Sequence, residues 1–175
     1  MACIKLNKAI TFGCAGGSVG LAGLYLVNKA DLASFVTGSD VVVNSIALVP
    51  GGKAIPVDCY KNGAKITDAL RSLDGAAGME QTVTLTVYDK TSDGMAIQEA
   101  LLSGNFVAFA KLKDGGSIKV VGLYAGLEVA SMDGDTSAAG GFVTVTLKTP
   151  DNSRGDRNMI ALPAVWTYLE ANKLT

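Results

Sequence analysis

The feature that most constrains this chain is a strict two-residue alternation that occurs twice. In Thr82-Val83-Thr84-Leu85-Thr86-Val87 the threonines fall on one side, and Val83, Leu85 and Val87 on the other. Successive side chains of an extended strand point to opposite faces, so the pattern describes a strand with one wet and one dry face. Val143-Thr144-Val145-Thr146-Leu147-Lys148 repeats it. Two such strands predict sheets that cover a core with one side only.

The rest of the chain is read around these strands. Residues 106–113 and 118–124 flank Asp114-Gly115-Gly116-Ser117, which predicts a hairpin with its turn glycines in place. Gly122 marks a bulge or a close approach within the second strand. Tyr60-Lys61-Asn62-Gly63 reads as a further turn. Residues 41–49 and 54–60 form another candidate pair, joined by Pro50-Gly51-Gly52-Lys53. The triplet Val41-Val42-Val43 lacks alternation, so both of its faces are expected to be covered, one of them by another subunit.

A helix is expected from Ser92 or Asp93 as cap to Gly104 as stop, with Ile97, Ala100 and Leu101 on one face. Residues 65–73 give a shorter helix candidate, with Thr67 as cap and Leu70 and Leu73 inside. Pro163 opens a C-terminal helix through Asn172, although Val165-Trp166-Thr167-Tyr168-Leu169 suits a strand equally. Together these elements predict a mainly β fold with one or two short helices: a β-sandwich or barrel-like core plus a flanking helix. No linker divides the chain, so residues 1–175 are read as one domain.

Composition narrows the function. Apolar residues make up 49%, enough for a sizeable core, but charged residues only 18%. A surface so poor in charge is either covered by partners or rich in Gly, Ser and Thr. The net charge is −1 and the lysines are scattered, so no basic patch is offered to phosphates. Specific nucleic-acid binding is therefore not expected. Residues 9–28 are uncharged and follow Lys5 and Lys8, as in a membrane anchor, and Gly13-x-x-x-Gly17 and Gly16-x-x-x-Gly20 match a helix-packing pattern. Five glycines weaken a helix there, so a glycine turn followed by a buried strand over residues 21–27 is favoured, with no membrane span. Cys3, Cys14 and Cys59 are odd in number and form no CxxC, as expected of free thiols.

The chemistry on offer is thin. The chain has no histidine, which removes Ser-His-Asp, Cys-His and HExxH arrangements. Asp133-Gly134-Asp135-Thr136-Ser137 begins like a calcium loop, but Ala138 stands where glycine is needed and Thr144 where a bidentate glutamate is needed. No phosphate-cradling glycine motif is complete. Asp89, Asp93, Glu80 and Glu128 are read as surface charges. No cofactor, metal or catalytic residue is expected, and the chain is read as a non-enzymatic protein.

The order of segments carries a resemblance. Cys14-Ala15-Gly16-Gly17-Ser18-Val19-Gly20-Leu21 runs into residues 24–32, and residues 81–88 and 101–110 follow. Then come Gly116-Ser117-Ile118-Lys119-Val120-Val121-Gly122-Leu123-Tyr124, Gly134-Asp135 and the strand of residues 141–147. This arrangement resembles the tail-tube, ring-forming structural proteins of phages and prophages. The resemblance implies a β-sandwich or barrel with a flanking helix. It implies copies assembled into rings, commonly hexameric, that stack into a tube and meet other virion tail proteins. It places the protein in the virion tail, assembled in the cytoplasm of a host bacterium. Residues 62–79 match nothing in it.

On this reading the apolar pair of residues 41–60 and the segment 1–12 meet neighbouring subunits. Val41, Val43, Ile46, Leu48, Ile55, Val57, Ile4 and Leu6 are the contact candidates. The other reading places both segments in the chain's own core. Asp133, Asp135 and Asp151 are candidates for an acidic lumen along which a polyanion slides without adhering. The alternative function is a β-sandwich module for a glycan or other ligand, with Tyr124, Tyr168 or Trp166 exposed in a concave site. A histidine-free hydrolase would instead need two carboxylates converging with raised pKa values.

Overall fold

The computed structural model describes residues 20–38, 41–59, 63–73, 76–88, 91–113, 116–134, 142–151, 153 and 156–175. The contact candidates Ile4 and Leu6, the lumen candidate Asp135 and the turn over residues 60–62 lie outside them. The described residues form eleven strands in two sheets, with two α-helices.

The first strands make one long bent ribbon. β1 (Leu21–Asn28) and β2 (Leu32–Thr37) are two halves of one strand, broken by a 3-10 turn at Lys29–Asp31. They pair antiparallel with β4 (Ala54–Val57) and β3 (Val42–Leu48), so that Val27 faces Ala54 and Leu32 faces Leu48. At the bend the Val49 N–H donates to the Asp31 carbonyl at 2.9 Å, and Gly51 takes a φ of +87° that favours glycine. Residues 41–49 and 54–60 are therefore not a hairpin with each other. Pro50 to Lys53 forms the ribbon's elbow, and its tip lies between β2 and β3.

The ribbon closes the larger sheet. β7 (Phe106–Leu112) pairs with β1 on one side and with β8 (Ile118–Val121) on the other. β8 pairs with β11 (Met159–Ala161), and β11 lies parallel to β3. One end of this seven-stranded sheet is β1–β4 and the other is β3–β2. Both ends belong to the same ribbon, so the sheet curls into a barrel-like layer.

The smaller sheet has the order β5-β6-β10-β9: β5 (Ala64–Leu73), β6 (Ala76–Val87), β10 (Val143–Lys148) and β9 (Glu128–Gly134). β5 corrects the expected helix over residues 65–73. Its backbone pairs residue for residue with β6, from Ala64 opposite Leu85 to Leu73 opposite Ala76, without a register shift. Ala, Leu, Lys and Arg are good helix formers, but helix propensity is a weak determinant, and ten ladder pairs outweigh it.

Two cores result. Between the sheets, Val83, Leu85, Val145 and Leu147 pack on Leu24, Leu26, Phe106 and Ala108. α1 (Ser92–Ser103) adds Leu101 to this layer. Inside the curl of the larger sheet lie Tyr25, Val27, Val107, Phe109 and Met159, closed over by Val165, Trp166 and Leu169 of α2 (Pro163–Ala171). β7 is thus covered on both faces, which explains its unbroken apolar run. α2 starts at Pro163 as expected and is a helix, not a strand. No helix among the described residues is long and apolar enough to cross a membrane.

Candidate assembly interface

The wet face predicted by the alternation exists, and it is broad. Thr84 on β6 stands opposite Lys65 on β5 and Thr146 on β10, and Thr146 stands opposite Ser131 on β9. The row on one side runs from Thr86 through Thr144 to Asp133. The row on the other runs Thr67, Thr82, Lys148, Glu128. Residues directly opposite in a ladder share a face, so all these side chains look away from the core.

Strand edges differ in how they are protected. β2 carries two register shifts along its pairing with β3. β4 contains Pro56, and Ala54 is bonded in both directions to Asn172 and Leu174. Bulges, prolines and covering segments blunt an edge. β5 has no bulge or proline over its ten residues, but it carries Lys65 and an inward-facing Asp68 that pairs with Lys119 of β8; among the described residues no strand pairs with its outer side. β9, the opposite edge of the same sheet, has one register shift between Ser131 and Val129 and lies beside α1. It carries Glu128, which accepts from the Asn105 side-chain amide at 3.1 Å, and Asp133, both exposed.

At one end of the wet face a polar clamp holds the β5–β6 hairpin. Arg71 on β5, only 9% exposed, donates to the carbonyls of Thr149 and Pro150 and pairs with Glu80 at 2.8 Å. Lys148 pairs with Asp151 at 2.8 Å and reaches Glu80 at 3.4 Å. The bond from Arg71 holds the Glu80 carboxyl below its ordinary range, and the bond from Lys148 does the same for Asp151. Beyond the clamp the hairpin outruns β10, leaving Leu70 73% exposed.

A second polar knot ties the two sheets together. Gln81 is fully buried; its side-chain amide donates to the Arg157 carbonyl and the Asn158 side chain, and its oxygen accepts the Gly122 N–H at 2.9 Å. Gly122 has φ +74°, and a Cβ there would lie 2.6 Å from Leu127 Cγ, so the expected close approach is real. Buried Asp156 accepts from the Tyr124 and Ala125 N–H groups. The Lys29 ammonium donates to the Leu123 and Tyr124 carbonyls. Burial pushes its pKa down, and Asp156 partly offsets this. The sequence held a signal for Gln81: it falls on the dry side of the Thr/Val alternation, where a polar residue needs partners.

The predicted site residues scatter. Val43 and Ile46 are buried in the core inside the larger sheet, so they serve the chain itself. Leu48 packs on that core, and Ile55 and Val57 pack on the core between the sheets. Of the described contact candidates only Val41 is exposed. Asp133 and Asp151 both lie on the wet side of the smaller sheet, but at its two ends. The four residue steps from Thr144 to Lys148 alone span about 13 Å. Asp151 is also engaged with Lys148 and Arg71.

The aromatics proposed for a ligand site separate as well. Trp166 is buried against Tyr25, with ring centroids 4.8 Å apart. The Tyr168 hydroxyl accepts the Leu48 N–H at 3.1 Å. Tyr124 alone is exposed, edge-on to Phe35. The carboxylates that do converge, Glu80 and Asp151, meet at cations that keep them ionised. Comparison with known proteins found no match for this chain among family models, curated proteins or solved structures.

Proposed function

We propose that this chain is a non-enzymatic structural protein whose copies join head to tail into a ring or tube, as in the phage tail-tube family it resembles. One observation carries the reading. The smaller sheet is wet on its outer face, and among the described residues no strand pairs with the outer side of β5, while the opposite edge, β9, is acidic.

A ring operation brings β9 of one copy beside β5 of the next with a common strand direction for every subunit. Within the sheet, strand directions alternate, and β5 and β9 run oppositely. A neighbour's β5 therefore meets β9 antiparallel and continues the sheet from copy to copy. The threonine face then lines the inside. Hydroxyls offer a polyanion no cationic row to grip, and Asp133 adds negative charge. The projecting end of the β5–β6 hairpin, with Leu70 at its surface, supplies the extended contact. This role replaces the one expected of residues 41–60.

Negative-stain microscopy of the purified full-length chain tests the reading. Rings or tubes of uniform diameter support it. Isolated particles of single-chain size at every concentration contradict it.

A further inference from the structure

The assembly proposed above leaves open what selects the neighbour and fixes the register between the two edges. On β5, Lys65 is exposed on the wet face and forms no ion pair among the described residues. Its row through the sheet ends at Ser131 on β9. The neighbouring wet-face positions on β9, one row to either side, are Asp133 and Glu128.

We infer that Lys65 of one copy docks between Asp133 and Glu128 of the next copy, and that this ion triad sets both partner and register. The inference rests on the assembly reading. In a ring that keeps the rows level, Lys65 lies opposite Ser131 of the neighbour, with a carboxylate diagonally on each side. Diagonal positions across an antiparallel pair are about 7 Å apart, within reach of a lysine. A tilt that slips the edges by one row in either direction puts Lys65 directly opposite one of the two carboxylates. A slip by an odd number of residues is excluded, because it would turn the apolar side of one edge to water. The same charges oppose wrong pairings: β9 against β9 sets carboxylates against each other, and β5 against β5 sets lysine against lysine.

The test is complementation between two full-length variants. Lys65→Glu alone places like charges across the edge, as does Glu128→Lys combined with Asp133→Lys. Each variant alone is expected to lower the assembled fraction about tenfold at fixed concentration. Mixed together, every β5–β9 contact between unlike chains is complementary, so the mixture assembles with the two chains in equal amounts. Light scattering and mass analysis of the assembled fraction read this out. Lys65→Met, which removes the charge without adding repulsion, falls between wild type and Lys65→Glu.

Either charge variant assembling like wild type overturns the triad. So does a mixture that stays unassembled while circular dichroism shows both variants folded. A wild-type chain that never assembles overturns the assembly reading itself, and the triad with it.

Discussion

The side-chain oxygen of Gln81 accepts the backbone N–H of Gly122 at 2.9 Å, and this bond crosses from the smaller sheet to the larger one. Both groups are buried, so neither has water as a substitute. Gln81→Leu keeps the volume and removes three hydrogen bonds. Each unsatisfied buried group costs about 1–3 kcal/mol, so a loss of about 2–4 kcal/mol is expected. Urea unfolding monitored by Trp166 fluorescence measures it.

Gly122→Ala is expected to destabilise by about 1–3 kcal/mol from backbone strain alone, because φ is +74°. The added methyl also meets Leu127, whose side chain is in the core. The same substitution at Gly51 has nothing within 4 Å to strike and keeps only the cost of its positive φ. Comparing the two by thermal unfolding separates strain from collision.

The clamp around Arg71 gives a pH signature. Glu80 and Asp151 have folded-state pKa values below their ordinary ones. Their contribution is complete above the unfolded values, near pH 4, and is lost as pH falls through the folded ones. Lys148 is shifted up, first by its bond to Asp151, so its contribution is present below about pH 10.5 and is lost as pH rises through the folded value. Melting temperature is therefore expected to fall below about pH 4, and Glu80→Gln is expected to flatten part of that acid limb. An acid limb unchanged in Glu80→Gln would place the acid sensitivity elsewhere.

Arg71→Met removes the cation that holds Glu80 and the carbonyls of Thr149 and Pro150. Breaking a mostly buried ion pair costs about 3–5 kcal/mol, less here because Glu80 is partly in water, so about 2–3 kcal/mol is expected. Amide exchange should speed up first in the end of the β5–β6 hairpin beyond β10, while Val107 and Phe109 stay protected.

The sequence made the sheets legible wherever one face met water and the other met the core. The alternations of β6 and β10, the β7–β8 hairpin, the extent of α1 and the start of α2 at Pro163 follow from period, turn glycines and proline. The cap of α1 is Thr91 rather than Ser92 or Asp93, and of its expected apolar face only Leu101 is buried. What stayed hidden was decided by distant pairing. Val42 to Leu48 and Ala54 to Val57 are adjacent in sequence with glycines between, which is how a hairpin reads. Only their pairing with β2 and β1 shows that the glycines form an elbow. Residues 65–73 contain helix formers at helical spacing, and β6 overrides them. Val43 and Ile46 looked like contact residues because an unalternating run has two covered faces. Val43 and Ile46 turn into the core closed over by α2, while Val41 of the same run is exposed. Arg71, Gln81 and Asp156 had no motif, since their partners are mostly backbone groups far away in the chain.

The measurement closest to the central claim is the mass of the full-length chain in solution, followed by light scattering from micromolar to millimolar concentration. Assembly through the β5 and β9 edges predicts a rise to a ring of fixed mass or to longer polymers. A mass that stays at 17.9 kDa across the whole range would contradict it.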